Sequence, residues 1–458
     1  MNRVSRRASA ILLLVIALLS GLFFFLFEYT VDAEKWILSA GSPHVFNSSN
    51  IGCGQIVDRS GELLLDLTSS RVYSEDPTVR MATLHWLGDR QGRISAPAIA
   101  HYGKEMTGYD RVDGLYSYNG VQGRAELTLS SEVQAAALKA LGDRKGTVGI
   151  YNYKTGEILC AVTNPSYDPD DVPDIDNDES GRYVGVYMNR FVQTTYPPGS
   201  IFKIVTTAAA LDSVDGILDM KFTCTGEFPY GIDRVTCEKA HGTLNLQEAM
   251  AKSCNCCFTQ IANLVGKEKL ENYAKQFLIT EPVRFDGVTT ARGNFELSKA
   301  APVEIGWAGI GQYTDMINPC RYMTFVGMIA GGGAAAKPYL VKRVNLGDEI
   351  TYEAEITPSE RIMSQELAQT LTDYMRNNVQ TVYGAENFPG LTVCAKSGTS
   401  ELGVDLTPNA MFAGFIADEA YPLAFIVVVE NGGYGSSTCV PILRDVLAVC
   451  KSVLDRQS

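Results

Sequence analysis

Pro197-Pro198-Gly199-Ser200-Ile201-Phe202-Lys203 runs straight into Ile204-Val205-Thr206-Thr207-Ala208-Ala209-Ala210-Leu211. Each proline fixes its own φ and biases the residue before it away from helix, so the chain arrives extended. Gly199 permits a sharp turn. From Ile201 to Leu211 the run is long and apolar enough for a buried helix, with Ser200 at its start. Ser200 and Lys203 share one face of such a helix, a turn apart. The serine hydroxyl then lies near the positive end of the helix dipole, which favours an oxyanion. Lys203 is the only charge in the run. Burial disfavours its protonated form and makes it a candidate base. A serine activated by a neighbouring lysine is a nucleophile that needs no histidine. The structural alternative is an N-capping serine and a lysine that snorkels to water.

The surrounding composition narrows the class. At 458 residues the chain is too long for one small domain. An apolar content of 46% with 20% charged residues is that of a globular protein. A net charge of −13 argues against nucleic acid or an anionic surface as the main partner. Ala10 to Phe27 is uncharged and almost wholly apolar, preceded by Arg3, Arg6 and Arg7 and followed by Glu28, Asp32 and Glu34. It reads as a short membrane span with a cytoplasmic N-terminus and the remainder outside. A cleaved signal peptide fits less well, because Val31-Asp32-Ala33 is a poor cleavage site and the apolar stretch exceeds a normal signal core.

The eleven cysteines are odd in number and spread along the chain, which is not a disulfide scaffold. Cys224 and Cys237 bracket a loop with Gly and Pro and are placed either to pair or to stay free thiols. Cys254, Cys256 and Cys257 read as small buried residues, since no cysteine–histidine spacing around them suggests a zinc site. No metal and no cofactor are therefore expected. His85 and His101 read as unrelated histidines, and only His241 lies in the later part of the chain, so a Ser-His-Asp hydrolase is poorly supported.

Taken in order, Gly54 to Leu64 reads as strand, turn, strand, broken at Ser60-Gly61. Ser130 caps a helix whose apolar face runs from Val133 to Leu141. Gly146–Tyr153 and Ile158–Thr163 form a hairpin. The Asp174, Asp176, Asp178 series lacks the glycine and terminal glutamate of a calcium loop and reads as solvated. Asn245 to Val265 reads as one helical run. Glu268 falls on an exposed helix face beside Lys267 and Lys269. Gly331-Gly332-Gly333 reads as a flexible joint. Strands follow at Leu391–Thr399, Ala410–Ala417 and Leu423–Glu430, then a closing helix from Pro441 to Leu454. Two early strands, three late ones and helices between them make an α+β pattern, an antiparallel sheet closed by distant segments.

Two further motifs follow the first: Ser253-Cys254-Asn255 and Lys396-Ser397-Gly398-Thr399. Ser-x-x-Lys, Ser-x-Asn and Lys-Thr/Ser-Gly in that order resemble penicillin-binding proteins and serine β-lactamases, and Ser200/Lys203 is the sole Ser-x-x-Lys pair in the chain. Thr155-Gly156-Glu157, Asn164-Pro165-Ser166-Tyr167-Asp168, Asn189-Arg190, Gly309-Ile310-Gly311-Gln312 and Gly414-Phe415 are similar to segments of class B penicillin-binding proteins. Ile56-x-Asp58-Arg59-x-Gly61 is similar to the start of that family's non-catalytic pedestal, here in a small form.

The resemblance implies three parts. Residues 1–30 would be a cytoplasmic tail and single transmembrane anchor, 31–125 a small, mainly β pedestal, and 126–458 a penicillin-binding transpeptidase domain. It implies a D,D-transpeptidase that cross-links peptidoglycan stem peptides through a serine acyl-enzyme and is acylated by β-lactams. Ser200 would be the nucleophile and Lys203 its base. Ser253 would relay a proton with support from Lys396, and Asn255 would orient Lys203 and the donor peptide. Ser397, Gly398 and Thr399 would bind the substrate carboxylate; Ser397 stands where the family usually has threonine, and both carry a hydroxyl. Implied partners are stem peptides, β-lactams, the membrane and a glycan polymerase of the SEDS type, at the cell membrane with the catalytic domain outside. The rival readings are a carboxypeptidase or β-lactamase on the same scaffold, a β-lactam sensor, for which the cytoplasmic piece is too short, and a silent division scaffold, against which the intact motifs argue.

Overall fold

The computed structural model describes residues 2–37, 54–68, 70–107, 122–403 and 405–456. A helix over Asn2–Ile37 opens the chain, and Arg3–Asp32 within it is long and apolar enough to cross a membrane. Residues 38–53, Cys53 among them, lie outside the described residues.

The later part of the chain is built on a five-stranded sheet, in the order Val393–Ser400, Asn409–Ile416, Leu423–Val429, Gly146–Asn152, Ile158–Asn164. Every neighbouring pair is antiparallel. Helices cover both faces. On one, Val148, Ile150, Phe412 and Val427 pack with Leu443 and Val446 of the Gly435–Asp455 helix and with Val133 and Leu141 of the Ser131–Leu141 helix. On the other, Tyr151, Met411, Ala413, Ile426 and Val428 pack with Phe202, Val205, Phe325 and Leu371, which come from the nucleophile segment and the helices Pro319–Ala330 and Gln365–Asn378. Burial on both faces explains why the central strand, Leu-Ala-Phe-Ile-Val-Val-Val, is apolar without alternation.

A second sheet, six-stranded, holds Gly54–Val57, Leu63–Leu67 and Val72–Tyr73 together with Gly123–Leu127, Val341–Leu346 and Glu349–Glu353. It therefore crosses the expected division at residue 125, because its last hairpin comes from far along the chain. Buried Asp58 joins the two parts. One carboxylate oxygen accepts from Ser60 N and Oγ and from Glu62 N, at 2.8, 2.6 and 3.0 Å. The other accepts from Ser131 N and Oγ, at 3.0 and 2.7 Å, at the start of the Ser131–Leu141 helix. Burial pushes this carboxyl up, but the hydrogen bonds from Ser60 and Ser131 outweigh it and hold it below the usual range.

Three expectations are corrected. The run from Asn245 to Val265 is two helices, Leu246–Ala251 and Asn255–Val265, because Ser253 between them has a positive φ of 51°. The triple glycine is no loose joint. Gly332 N and Gly333 N donate to Ile329 O and Met328 O at 3.0 and 2.7 Å, closing off the Pro319–Ala330 helix, and a Cβ on Gly333 would lie 2.2 Å from Met363 O. The closing helix begins at Gly435 rather than Pro441. Pro441 removes one backbone donor, yet Cys439, Val440, Ile442 and Leu443 around it are buried against the sheet and carry the helix through.

Candidate active site

The nucleophile segment forms in two steps. Gly199–Phe202 is a turn of 3₁₀-helix, and Lys203–Ser213 is the α-helix it feeds. Gly199 has a φ of +55°, and a Cβ there would stand 2.5 Å from Thr399 O. Gly311, from the Gly309-Ile310-Gly311-Gln312 segment, is as constrained, since its Cβ would meet Gly199 O at 2.2 Å. Backbone thus presses on backbone, and only glycine fits at either place. Gly199 N donates to Gly311 O at 2.9 Å, and Tyr322 Oη donates to Ile201 O at 2.6 Å. These contacts seat Ser200 against the Val393–Ser400 strand, which lies at the edge of its sheet.

Lys203 Nζ lies 2.9 Å from Ser200 Oγ. It donates to Ser253 O at 2.6 Å and to Asn255 Oδ1 at 2.7 Å, with Ser253 Oγ at 3.2 Å. Lys396 Nζ donates to Ser253 Oγ at 3.0 Å and to Ser397 O at 2.9 Å. Ser253 Oγ therefore bridges two amines. Both lysines are fully buried while Ser200, Ser253 and Asn255 are half-exposed. Burial, and then the like charge of Lys396, hold Lys203 well below the usual lysine range. Burial brings Lys396 down to about 7. A neutral Lys203 has two N–H bonds and one lone pair. Its two shortest contacts, Ser253 O and Asn255 Oδ1, are acceptors that use both N–H bonds. The lone pair is then left for Ser200. The unusual φ of Ser253 is what turns its carbonyl toward Lys203, a strained backbone at the centre of the site.

The third motif lies on the edge strand. Ser397 Oγ and Tyr383 Oη share a hydrogen bond of 2.9 Å, and Ser397 N donates to Tyr383 Oη, also at 2.9 Å. Thr399 Oγ1 accepts from Gly435 N at 3.2 Å, so its own proton is free to point elsewhere. Gln312 Nε2 donates to Thr399 O at 3.3 Å. Lys396 and Gly398 are buried, while Ser397 and Thr399 are partly exposed. Ser200, Lys203, Ser253, Asn255 and Lys396 thus meet in one place, with the Ser397–Thr399 backbone beside them. Tyr383 escaped the sequence reading, since it belongs to no short motif, and Gln312 was quoted there without a role. Gln312 had a signal in the glycine-rich segment around it; Tyr383 had none.

The remaining candidates lie elsewhere. His85 is buried, with Nε2 2.7 Å from Val186 O, and burial lowers it to about 4. His101 stands edge-on to Tyr102. Asp176 is exposed and pairs with Arg93 at 3.1 Å. All ten described cysteines are free thiols, so Cys224 and Cys237 are not joined. Instead the fold gathers Cys224, Cys237, His241 and Cys254, whose donor atoms all lie within 4.8 Å of one another. The spacing argument missed this cluster.

Residues 146–448 match the family model described as the penicillin binding protein transpeptidase domain. The chain is 31% identical to the peptidoglycan D,D-transpeptidase PbpA of Mycolicibacterium smegmatis over 360 residues, 71% of this chain and 72% of that protein. It is similar to the D,D-transpeptidase domain of a peptidoglycan glycosyltransferase from Eggerthella lenta, with a TM-score of 0.75, 26% identity and coverage of 88% and 98% of the two chains. It is also similar to penicillin-binding protein A of M. tuberculosis captured as a penicillin G acyl-enzyme, with a TM-score of 0.71, 26% identity and coverage of 87% and 99%.

Proposed function

Since the chain belongs to the penicillin-binding protein transpeptidase family, we propose that it is a class B peptidoglycan D,D-transpeptidase whose chemistry runs through Ser200. The observation that carries this reading is the hydrogen-bonded row Ser200–Lys203–Ser253–Lys396 beside the edge strand of the sheet.

Neutral Lys203 takes the Ser200 proton as Oγ attacks the carbonyl of the penultimate D-Ala of a stem peptide. The oxyanion falls to the backbone N–H groups of Ser200 and Thr399, which the close approach of Gly199 to Thr399 brings together. The proton leaves Lys203 through Ser253 Oγ for the departing D-Ala amine, and Lys396 on the far side of that hydroxyl polarises the relay. The donor peptide lies extended along the edge strand, as an added strand, with its terminal carboxylate near the Ser397 and Thr399 hydroxyls. A β-lactam mimics the same acyl donor. An amine from a second stem peptide then attacks the acyl-enzyme, releases Ser200 and forms the cross-link.

The Arg3–Asp32 helix supports a single membrane anchor, with the arginine-rich end in the cytoplasm and the two sheets outside. Cross-linking acts on polymerised strands, so a glycan polymerase of the SEDS type on the same membrane face is the proposed partner.

The test is turnover of a D-Ala-D-Ala stem peptide by the full-length protein in detergent, with and without an acceptor amine. The expected outcome is D-Ala release accompanied by an amide-linked dimer once acceptor is present. Release at an unchanged rate with no dimer at saturating acceptor would make the protein a carboxypeptidase instead.

A further inference from the structure

The cluster of Cys224, Cys237, His241 and Cys254 is assembled from four different places. Cys224 ends the strand Phe222–Cys224, and Cys237 follows the strand Asp233–Thr236. His241 precedes the strand Gly242–Leu244, and Cys254 is the N-cap of the Asn255–Val265 helix. Gly242 pairs with Cys224 across the small ladder, which sets His241 beside Cys224. Twelve, three and twelve residues lie between successive members, so only Cys237 and His241 are near one another in the chain and the fold brings in the other two. Cys224 and Cys254 are buried, and Cys237 and His241 half-buried.

The distances suit one ligand class. Tetrahedral zinc with bonds of about 2.3 Å to sulfur and about 2.0–2.1 Å to nitrogen sets its donors roughly 3.5–3.8 Å apart. Cys237 Sγ lies 3.8 Å from Cys254 Sγ, and His241 Nδ1 lies 3.4 Å from Cys237 Sγ and 3.7 Å from Cys224 Sγ. Asn255 N donates to Cys237 Sγ at 3.3 Å, the kind of outer contact that steadies a metal-bound thiolate. Three soft sulfurs and one imidazole select zinc over hard, oxygen-seeking cations.

We propose that these four residues bind one zinc ion, held by three thiolates and the neutral imidazole of His241, and that this ion fixes the catalytic turn. Cys254 is the middle residue of Ser253-Cys254-Asn255, so an ion on its sulfur anchors the strained Ser253 from behind. Asn255 is clasped from the same side. Its amide meets Cys237, its Nδ2 donates to Thr236 O at 3.0 Å, and its Oδ1 accepts from Lys203 at 2.7 Å. The ion acts through these neighbours and touches no reacting atom. A closed set of four protein ligands is a structural site, not a catalytic one.

The experiment uses the full-length protein, purified in detergent without chelator from cells grown with zinc. Elemental analysis after gel filtration is expected to find about one zinc per chain. Protein stripped and reconstituted with cobalt(II) is expected to show the intense visible d–d bands of a tetrahedral site and a thiolate-to-cobalt charge-transfer band. Cys224→Ser combined with Cys237→Ser is expected to lose both signals. His241→Cys, which supplies a fourth thiolate, should keep the ion and strengthen the charge-transfer band, so misfolding of the double variant would not decide the matter. Chelation should slow β-lactam acylation by about tenfold or more, and zinc should restore it. Three outcomes overturn the proposal: wild-type protein without zinc and without a tetrahedral cobalt spectrum, zinc that washes away on gel filtration, or a disulfide between any two of the three cysteines in freshly isolated protein. Metal content is read without turnover, so such a failure leaves the transpeptidase reading standing.

Discussion

Full-length protein carrying Ser200→Ala is expected to take up no covalent penicillin and to melt within about 2 °C of the wild type. The substitution removes one oxygen from a half-exposed position. Lys203 keeps its two best acceptors, Ser253 O and Asn255 Oδ1, so no buried donor is stranded. The loss is all-or-none because the label is an ester on that oxygen. Intact mass spectrometry after incubation with penicillin reads it. A covalent adduct on the variant, mapped by proteolysis to another serine, would remove Ser200 from the mechanism.

Lys203→Arg is expected to slow acylation by a chromogenic β-lactam by at least 10²–10⁴-fold, the range of a lost general base. The loss is expected toward the upper end, since Ser200 and Lys203 act as a unit. The guanidinium stays protonated at any working pH and has no lone pair to accept a proton. Wild-type acylation should fall as the pH drops through the depressed Lys203 titration, because only the neutral amine is the base. The direction follows from burial first and from the Lys396 charge second, both of which favour neutrality. Arginine is larger than the fully buried lysine it replaces and risks overpacking. Lys203→Met, of similar length and without charge, serves as the second variant and should lose acylation while melting as the wild type does. Acylation by a folded Lys203 variant within about tenfold of wild type, a difference of roughly 1.4 kcal/mol, would rule out Lys203 as the base.

Much of this site was legible because its chemistry sits in short, local patterns. Ser200 and Lys203 are one turn apart whatever the rest of the chain does. The strands Asn409–Ile416 and Leu423–Val429 were legible because burial on both faces makes them uniformly apolar. What stayed hidden depends on contacts made only in the folded chain. The break at Ser253 carries no glycine or proline, and the apolar pattern runs on across it, so nothing local marks its left-handed backbone. Val341–Glu353 reaches the second sheet by pairing with Gly123–Leu127, and a pairing at that separation leaves no local trace. The cysteine–histidine cluster is a juxtaposition of four elements, and Tyr383 reaches Ser397 from a helical turn that is merely aromatic in sequence.

The order of the strands has a consequence for the timing of activity. Ser200 and Lys203 are synthesised early, yet Ser200 is seated against Thr399, and the Val393–Ser400 edge reaches the Gly146–Asn152 hairpin only through Asn409–Ile416 and Leu423–Val429. The middle strand of the sheet is therefore the last one made. A growing chain therefore carries its serine and lysine for on the order of ten seconds or more without the edge strand that seats them. On the proposed mechanism, cross-linking and capture by an antibiotic begin only when the C-terminal strands arrive. On the mechanism proposed above, the strand order alone would keep half-made enzyme silent.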